Sequence, residues 1–210
     1  MNYFSVVLFN WKEFFKLKQF RLRVFITIPL LVTILISITN FLTFNEFRRG
    51  VIIHDPIINY INPIDLSLIT FSLTYLSVLF GTLLLLTKPK LTLITLNSYM
   101  MILIFRMITM YLLPLEPPVE IIPLRDIILE SSFYSGRINL KDLFFSGHTA
   151  SVFLFFLVFN NKWIKAIFII STIFIASCLV IQHVHYSIDI IVAPIFAWIS
   201  FKMAQKLYLF

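Results

Sequence analysis

Residues 24–45 read VFITIPLLVTILISITNFLTFN and contain no charged residue. A helix needs about 20 mostly apolar residues to cross the hydrocarbon core of a bilayer. This stretch is long enough to do so, and it therefore predicts a membrane-spanning helix.

Similar windows recur along the rest of the chain: 66–87, 91–115 with Arg106 as its one charged residue, 143–161, roughly 166–182 and roughly 186–201. Charged residues make up 13% of the sequence, against about 25% in soluble proteins. A soluble domain of this size rarely needs six helices that are apolar all round. We therefore expect an all-α, polytopic integral membrane protein with a six-transmembrane-helix bundle.

Lysine and arginine are distributed unequally between the connecting segments. If the N-terminus is inside, the inner segments hold one acid, Glu13, and these basic residues: Lys12, Lys16, Lys18, Arg21, Arg23, Lys88, Lys90, Lys162, Lys165, Lys202 and Lys206. Because basic residues favour the cytoplasmic side, both termini are expected to be cytoplasmic. All four histidines then lie on the extracytoplasmic side, periplasmic or lumenal. This topology explains the net charge of +7 better than nucleic-acid binding does, so no nucleic-acid partner is expected.

Two segments are expected. Residues 1–23 alternate aromatic and basic side chains, as in FNWKEFFKLKQFRLR at 9–23, which suits a basic amphipathic segment lying in the membrane interface. The alternative is a positively charged anchor that leads into the first span. Residues 24–210 are expected to form one six-helix membrane catalytic domain. The lone Cys178 excludes an internal disulfide.

The sequence HYSID, residues 185–189, places a histidine four residues before an aspartate. If it begins the sixth span, His185 and Asp189 share one helix face about 6 Å apart. The carboxylate can then accept from one imidazole nitrogen and leave the other as a nucleophile. Ionisable residues at membrane depth are costly and usually mark function.

The sequence DLFFSGHT, residues 142–149, leads into the fourth window. Ser146, Gly147, His148 and Thr149 would lie at a helix start, where free backbone N–H groups and the helix dipole favour an anion. A phosphate is the expected ligand, with His148 as general acid. An ordinary N-cap by Ser146 or Thr149 is the alternative.

A zinc site built from histidines and an aspartate is a second alternative. The histidines of HVH, residues 183–185, would face opposite ways on a helix, and no HExxH or CxxC pattern accompanies them. We therefore expect no metal and no cofactor.

The stretches at 142–149 and 185–189 resemble the two catalytic motifs of sphingomyelin synthases and related enzymes, a branch of the type 2 phosphatidic acid phosphatase superfamily. RMITMY, residues 106–111, resembles a third family motif. The resemblance runs from about residue 55 to the end. It implies that His185, oriented by Asp189, attacks the lipid phosphorus and forms a phosphohistidine. His148 would protonate the departing diacylglycerol and then act as base on a ceramide hydroxyl.

The chain also departs from the superfamily pattern. It lacks K-x₆-R-P, has Leu179 where an arginine precedes the attacking histidine by six residues, and has Leu140 and Lys141 where the synthases carry Cys-Gly. Pro194 replaces an expected tyrosine. The missing arginines favour the synthase branch, whereas the other two changes leave the head group and acceptor open.

Without those arginines, another cation must neutralise the phosphate. Arg106 is the first candidate, because a guanidinium near the end of an apolar helix is expensive unless it pairs with an anion. The alternatives for Arg106 are an ion pair with an acid such as Glu116, or snorkelling to the interface. Arg137 and Lys141 are the other candidate cations. The expected phosphate-binding residues are Ser146, Gly147, Thr149, Arg106 and Asp142.

The leading function hypothesis is a membrane lipid phosphotransferase that moves a phosphoalcohol head group from a phospholipid donor to a ceramide or diacylglycerol acceptor. The same residues would also serve a lipid phosphate or isoprenoid pyrophosphate phosphatase. A non-catalytic lipid-binding membrane protein is the third possibility.

Overall fold

The computed structural model describes residues 2–125 and 139–208, and within these ranges the chain is all-α, as expected. The described helices are α1 (Tyr3–Lys16), α2 (Lys18–Glu46), α3 (Ser67–Leu86), α4 (Pro89–Leu112), α5 (Gly147–Val158), α6 (Lys162–Ile181) and α7 (Ser187–Leu207). A 3-10 turn, Ile58–Tyr60, lies between α2 and α3. An isolated parallel bridge joins Val51 to Leu115, and the described ranges contain no β-strand.

Helices α2, α3, α4, α6 and α7 are each long and apolar enough to cross a membrane. They correspond to five of the six predicted spans. The fourth predicted window holds the shorter helix α5, whose 12 residues extend about 18 Å at 1.5 Å per residue. That length falls well short of the ~30 Å hydrocarbon core.

The short length of α5 has a local cause. Residues 143–145 are apolar, but side chains of α4 bind their backbone: Arg106 Nε donates to the Phe145 carbonyl at 3.2 Å, and Thr109 Oγ1 donates to the Phe144 carbonyl at 3.0 Å. These residues therefore stay outside the helix, which begins at Gly147.

Helix α5 packs against α3, α4, α6 and α7, so it lies at the centre of the bundle. Gly81 on α3 makes this packing possible, because a Cβ there would come within 2.5 Å of the Phe155 ring. Phe155, Phe159 and Phe168 form an aromatic stack with ring centroids 5.1 to 6.4 Å apart. All three are buried, and the stack lies around the C-terminal end of α5.

Helix α1 is separate from α2 and docks on the C-terminal end of α3. The last carbonyls of a helix have no partner within that helix, and three side chains of α1 provide one here. The Tyr3 hydroxyl donates to the Leu83 carbonyl, Trp11 Nε1 donates to the Leu86 carbonyl at 2.7 Å, and Asn10 Nδ2 donates to the Thr87 carbonyl at 2.8 Å. The connection between α3 and α4 is thereby fixed to the N-terminal helix.

At the other end of the bundle, the C-terminal ends of α2, α4 and α6 meet the N-terminal ends of α3, α5 and α7. The connections there are bound to one another. Val51 N donates to the Pro114 carbonyl at 3.0 Å, and Ser187 N donates to Asp55 Oδ2 at 2.6 Å. This end of the bundle carries the candidate site.

Candidate active site

The two histidine motifs meet in the structure through a backbone contact. Ser146 N, just before α5, donates to the Asp189 carbonyl in the first turn of α7 at 3.2 Å. His148 is the second residue of α5, and His185 lies two residues before α7 begins. Segments about 40 residues apart in the sequence are therefore neighbours at one end of the bundle.

His185 and Asp189 are paired and buried. His185 Nδ1 lies 3.2 Å from Asp189 Oδ2, and the two residues are 3% and 0% exposed. Because α7 begins at Ser187, the pair does not share a helix face as the spacing suggested. Instead, the Asp189 carboxylate folds back from the third helical position, where it also accepts from Tyr186 N at 3.2 Å. No hydrogen bond described for His185 uses Nε2, and the role predicted for His185 as the nucleophile requires this nitrogen.

His148 and Gly147 form the first turn of α5. The His148 ring is partly buried, and its edge-on contact with Phe71 of α3 has a centroid distance of 5.6 Å. A Cβ on Gly147 would lie 2.5 Å from Arg106 Nη1 and 2.7 Å from its Cζ. The guanidinium of Arg106 therefore lies directly against the start of α5, which only glycine allows.

Arg106 is 7% exposed and pairs with Asp142. Its Nη2 donates to Asp142 Oδ1 and its Nε to the Phe145 carbonyl, while no described hydrogen bond uses Nη1. The ion pair considered as an alternative is therefore present, but with a different acid. Glu116 instead accepts from Lys141 Nζ at 2.9 Å. The Arg106 guanidinium thus binds Asp142 through Nη2, while Nη1 lies next to Gly147 at the start of α5.

Of the other candidate cations, Lys141 is held by Glu116 and by the Arg48 carbonyl, 2.7 Å from its Nζ. Arg137 lies outside the described residues. Among the cations considered, Arg106 is the one seen against the helix that carries His148.

Asp142 connects the two histidines electrostatically. Burial by itself would raise the pKa of its carboxyl, but the charge and hydrogen bond of Arg106 lower that pKa below its ordinary value, helped by His185 and then His148. Both imidazoles therefore lie within electrostatic range of the same carboxylate. Asp142 stays ionised and holds Arg106 in place.

Ser146 and Thr149 build the cap of α5. The Ser146 hydroxyl oxygen accepts from Thr149 N at 3.4 Å and from Thr149 Oγ1 at 3.1 Å, and both residues are buried. The capping role considered for them is what these side chains do in the structure. Their part in phosphate binding stays a prediction.

Asp55 is absent from the predicted site residues, yet it contacts the start of α7. Its Oδ2 accepts from Ser187 N at 2.6 Å and its Oδ1 from Ser187 Oγ at 3.2 Å. Burial would raise the pKa of Asp55, but the hydrogen bonds from Ser187, Ile57 and Ile58 lower it. The available signal was an acid followed by proline in an otherwise apolar connection, and it does not reveal a partner 132 residues away.

Gln182 and His183 are also absent from the predicted site residues. Their side chains bind the backbone of the connections at this end of the bundle. Gln182 is fully buried, and its Nε2 donates to Ser67 Oγ at 2.8 Å and to the Ile122 carbonyl at 3.1 Å. The ring of His183 lies between two carbonyls, 2.9 Å from Ile61 and 3.2 Å from Val119. These two residues therefore fix loops, whereas His185 is left for the site.

Within residues 2–125 and 139–208, no group of three or more His, Cys, Asp or Glu side chains is arranged to hold a metal ion. The expectation of a metal-free site stays a prediction.

The family model for the PAP2 superfamily C-terminal region matches residues 141–207, which contain both histidine motifs. This match supports a relationship to the PAP2-like superfamily, whose members are generally phosphatases or phosphotransferases. No curated protein and no solved structure matches the chain.

Proposed function

We propose that the protein is a membrane lipid phosphotransferase of the sphingomyelin synthase type. It transfers a phosphoalcohol head group from a glycerophospholipid to ceramide or a similar lipid alcohol. The observation that carries this proposal is the hydrogen bond from Ser146 N to the Asp189 carbonyl. That bond brings an imidazole at the start of α5 and a paired His-Asp dyad before α7 to one end of an apolar bundle.

In the first step, His185 Nε2 attacks the phosphorus and the bond from phosphorus to the diacylglycerol oxygen breaks. Asp189 holds Nδ1 and stabilises the positive charge that develops on the ring. His148 gives its proton to the departing oxygen, which releases diacylglycerol and leaves the head group on His185 as a phosphohistidine.

In the second step, the now neutral His148 removes the proton from the hydroxyl of the lipid acceptor. The acceptor oxygen attacks the phosphorus, the phosphorus–nitrogen bond breaks, and His185 is regenerated. General acid–base help of this kind contributes roughly 10²- to 10⁴-fold.

The phosphate is bound at the start of α5. The backbone N–H groups of the first turn, beginning with Gly147, and the positive end of the helix favour an anion there. Arg106 adds Nη1 from the side, while Asp142 holds the opposite end of its guanidinium. Ser146 and Thr149 keep this turn in place through the cap.

For the topology, we propose six membrane segments with both termini in the cytoplasm and the site on the extracytoplasmic side. Helix α5 is then a short central segment surrounded by the five longer ones. Residues 1–23 lie in the inner interface. The apolar side chains of Phe4 and Leu8 point away from the bundle, being 73% and 71% exposed, and α1 bears Lys12 and Lys16, as suits contact with anionic lipid.

Hydrolysis is the second candidate activity. The family match supports it, since phosphatases and phosphotransferases both occur in that superfamily. If water rather than a lipid alcohol received the group from His185, the same residues would release free phosphate from a lipid phosphate, or the free phosphoalcohol from a phospholipid donor.

The test uses purified protein in mixed micelles with a phospholipid extract as donor and labelled ceramide or diacylglycerol as acceptor. We expect a new labelled phospholipid by mass spectrometry, and its head group identifies the donor. His185→Ala and His148→Ala should each abolish it, whereas His54→Ala is the matched control because His54 is exposed and contacts only Asn59 among its described partners.

The outcomes separate the candidates. Free phosphate from lipid phosphates without labelled product supports the phosphatase. Lipid binding without either product supports a non-catalytic protein, and undiminished transfer by His185→Ala refutes the mechanism.

A further inference from the structure

Asp55 is a buried carboxylate outside the predicted site, and both of its oxygens accept hydrogen bonds. It is 7% exposed. Oδ1 accepts from Ile57 N at 2.9 Å and from Ile58 N at 3.4 Å, which forms a local turn, and also from Ser187 Oγ at 3.2 Å. Oδ2 accepts from Ser187 N at 2.6 Å. A turn within the loop needs only Oδ1, so Oδ2 serves α7.

Ser187 is the first residue of α7, and its N–H has no carbonyl to bind within that helix. The neighbouring Tyr186 N is bound by Asp189 Oδ2 at 3.2 Å, the same oxygen that contacts His185 Nδ1. Two carboxylates therefore hold successive N–H groups directly after His185. One belongs to α7 itself, and the other comes from the connection between α2 and α3.

The same connection also holds Tyr186. Ile53 N donates to the Tyr186 hydroxyl at 3.3 Å, and that hydroxyl donates to the Glu116 carbonyl at 3.0 Å. Tyr186 is 1% exposed. The backbone that carries His185 is thus fixed by groups outside α7, and Asp55 supplies the shortest of these contacts.

We propose that Asp55 is a positioning residue for His185, resting on the role proposed for His185 in phosphoryl transfer. By accepting from Ser187 N, Asp55 sets the backbone direction at the start of α7, and this direction aims His185 Nδ1 at Asp189 and Nε2 away from it. Asp55 does not contact the substrate. Its removal lets the first turn of α7 shift, and the His185–Asp189 contact at 3.2 Å is lost.

The first test is imidazole ¹⁵N NMR of histidine-labelled full-length protein in micelles without substrate. The His185 signals are assigned by their loss in His185→Ala. We expect a single tautomer with the proton on Nδ1 in the wild type and a mixture of tautomers in Asp55→Ala, which lacks both side-chain oxygens. Asp55→Ser is a second variant, since its hydroxyl retains a local turn but does not reach Ser187.

The second test measures transfer kinetics of the same variants. A misplacement of about 1 Å at a reacting group costs roughly 10²-fold, so we expect kcat to fall about 10- to 100-fold while KM changes less than about threefold. Asp55→Glu, which keeps the carboxylate, should recover part of kcat. Ser187→Ala is the matched control, because it removes the hydroxyl contact with Asp55 but keeps the backbone one.

A second control, Asp65→Asn, removes a loop aspartate that binds Ser67 N at 2.9 Å and has no described contact with α7. It should leave the His185 signals unchanged. An unchanged His185 tautomer in folded Asp55→Ala or Asp55→Ser overturns the proposal, as does a kcat loss no larger than that of Ser187→Ala. If the wild type transfers nothing, the proposed function fails, while the NMR measurement still decides the positioning.

Discussion

Replacing Gly147 by alanine should impair the phosphate site through Arg106. The added Cβ would lie 2.5 Å from Nη1 and 2.7 Å from Cζ of Arg106. Ordinary van der Waals contact begins at 3.4 Å, so the guanidinium must retreat by about 0.9 Å (3.4 − 2.5). It is held by Asp142 and by the Phe145 carbonyl, so this retreat disturbs at least one of the two bonds.

In the proposed mechanism Arg106 binds the reacting phosphate, and a displacement of this size at such a group costs roughly 10²-fold in rate. At 1.36 kcal/mol for each factor of ten, this is about 2.7 kcal/mol of lost transition-state stabilisation. We therefore expect kcat/KM for lipid transfer to fall about 100-fold in Gly147→Ala.

Gly81→Ala is the matched control. Its Cβ would come equally close to a side chain, 2.5 Å from the Phe155 ring, but far from the histidines. Overpacking of this kind costs about 1–3 kcal/mol of stability. Gly81→Ala should lower Tm while the folded fraction keeps its kcat/KM.

The double variant Gly147→Ala/Arg106→Ala tests whether the added Cβ acts by displacing Arg106 or by disturbing the start of α5 itself. If Gly147→Ala acts through Arg106, the double variant is no worse than Arg106→Ala alone. Additive losses would refute this reasoning, and so would a Gly147→Ala protein that keeps more than about a third of wild-type activity.

Three further predictions test other parts of the structure. Burial alone would raise the pKa of Asp142, but the charge and hydrogen bond of Arg106 bring that pKa below its ordinary value. The Arg106–Asp142 pair therefore stabilises the folded protein above about pH 4, and this contribution is lost as pH falls through the folded pKa of Asp142. The Tm of the wild type should then fall more steeply below about pH 4 than that of Asp142→Asn. Trp11→Phe removes the hydrogen bond to the Leu86 carbonyl and should cost about 1 kcal/mol, seen as a lower Tm with unchanged kcat. EDTA should leave transfer unchanged, and a loss that Zn²⁺ restores would contradict the metal-free mechanism.

The long helices were predictable because hydrophobicity reports which residues avoid water. The windows at 66–87 and 91–115 agree with α3 (Ser67–Leu86) and α4 (Pro89–Leu112) to within three residues. Charge ends a membrane window, but it does not end a helix. For this reason α2 already begins at Lys18 and α7 runs on to Leu207, past Lys202 and Lys206.

Hydrophobicity failed where backbone hydrogen bonds decide the structure. Leu143 to Phe145 are as apolar as any span, yet Arg106 binds the Phe145 carbonyl and Thr109 binds the Phe144 carbonyl, and these residues stay outside the helix. Each of these contacts comes from a side chain 35 or 39 residues away in the sequence. The hydrophobic pattern within the window does not indicate such a contact. The short helix α5 was therefore beyond prediction from composition.

In the candidate site too, contacts between residues close in sequence could be predicted, whereas contacts between distant residues could not. The pairing of His185 with Asp189 follows from local spacing, and the structure places them in contact. The partners of Arg106 and the contact of Asp55 with Ser187 depend on tertiary packing, so the sequence offered Glu116 as a plausible acid where Asp142 is the actual one.

The aromatic stack lies at the C-terminal end of α5, whereas His148 lies at its N-terminal end. Phe155, Phe159 and Phe168 are at most 7% exposed and lie with their ring planes within 22° of parallel. Three large rings in such contact pack the centre of the bundle on the side away from His148. For the lipid transferase proposed above, donor, acceptor and products would then enter and leave on the side of the histidines, so that both lipids come from a single leaflet.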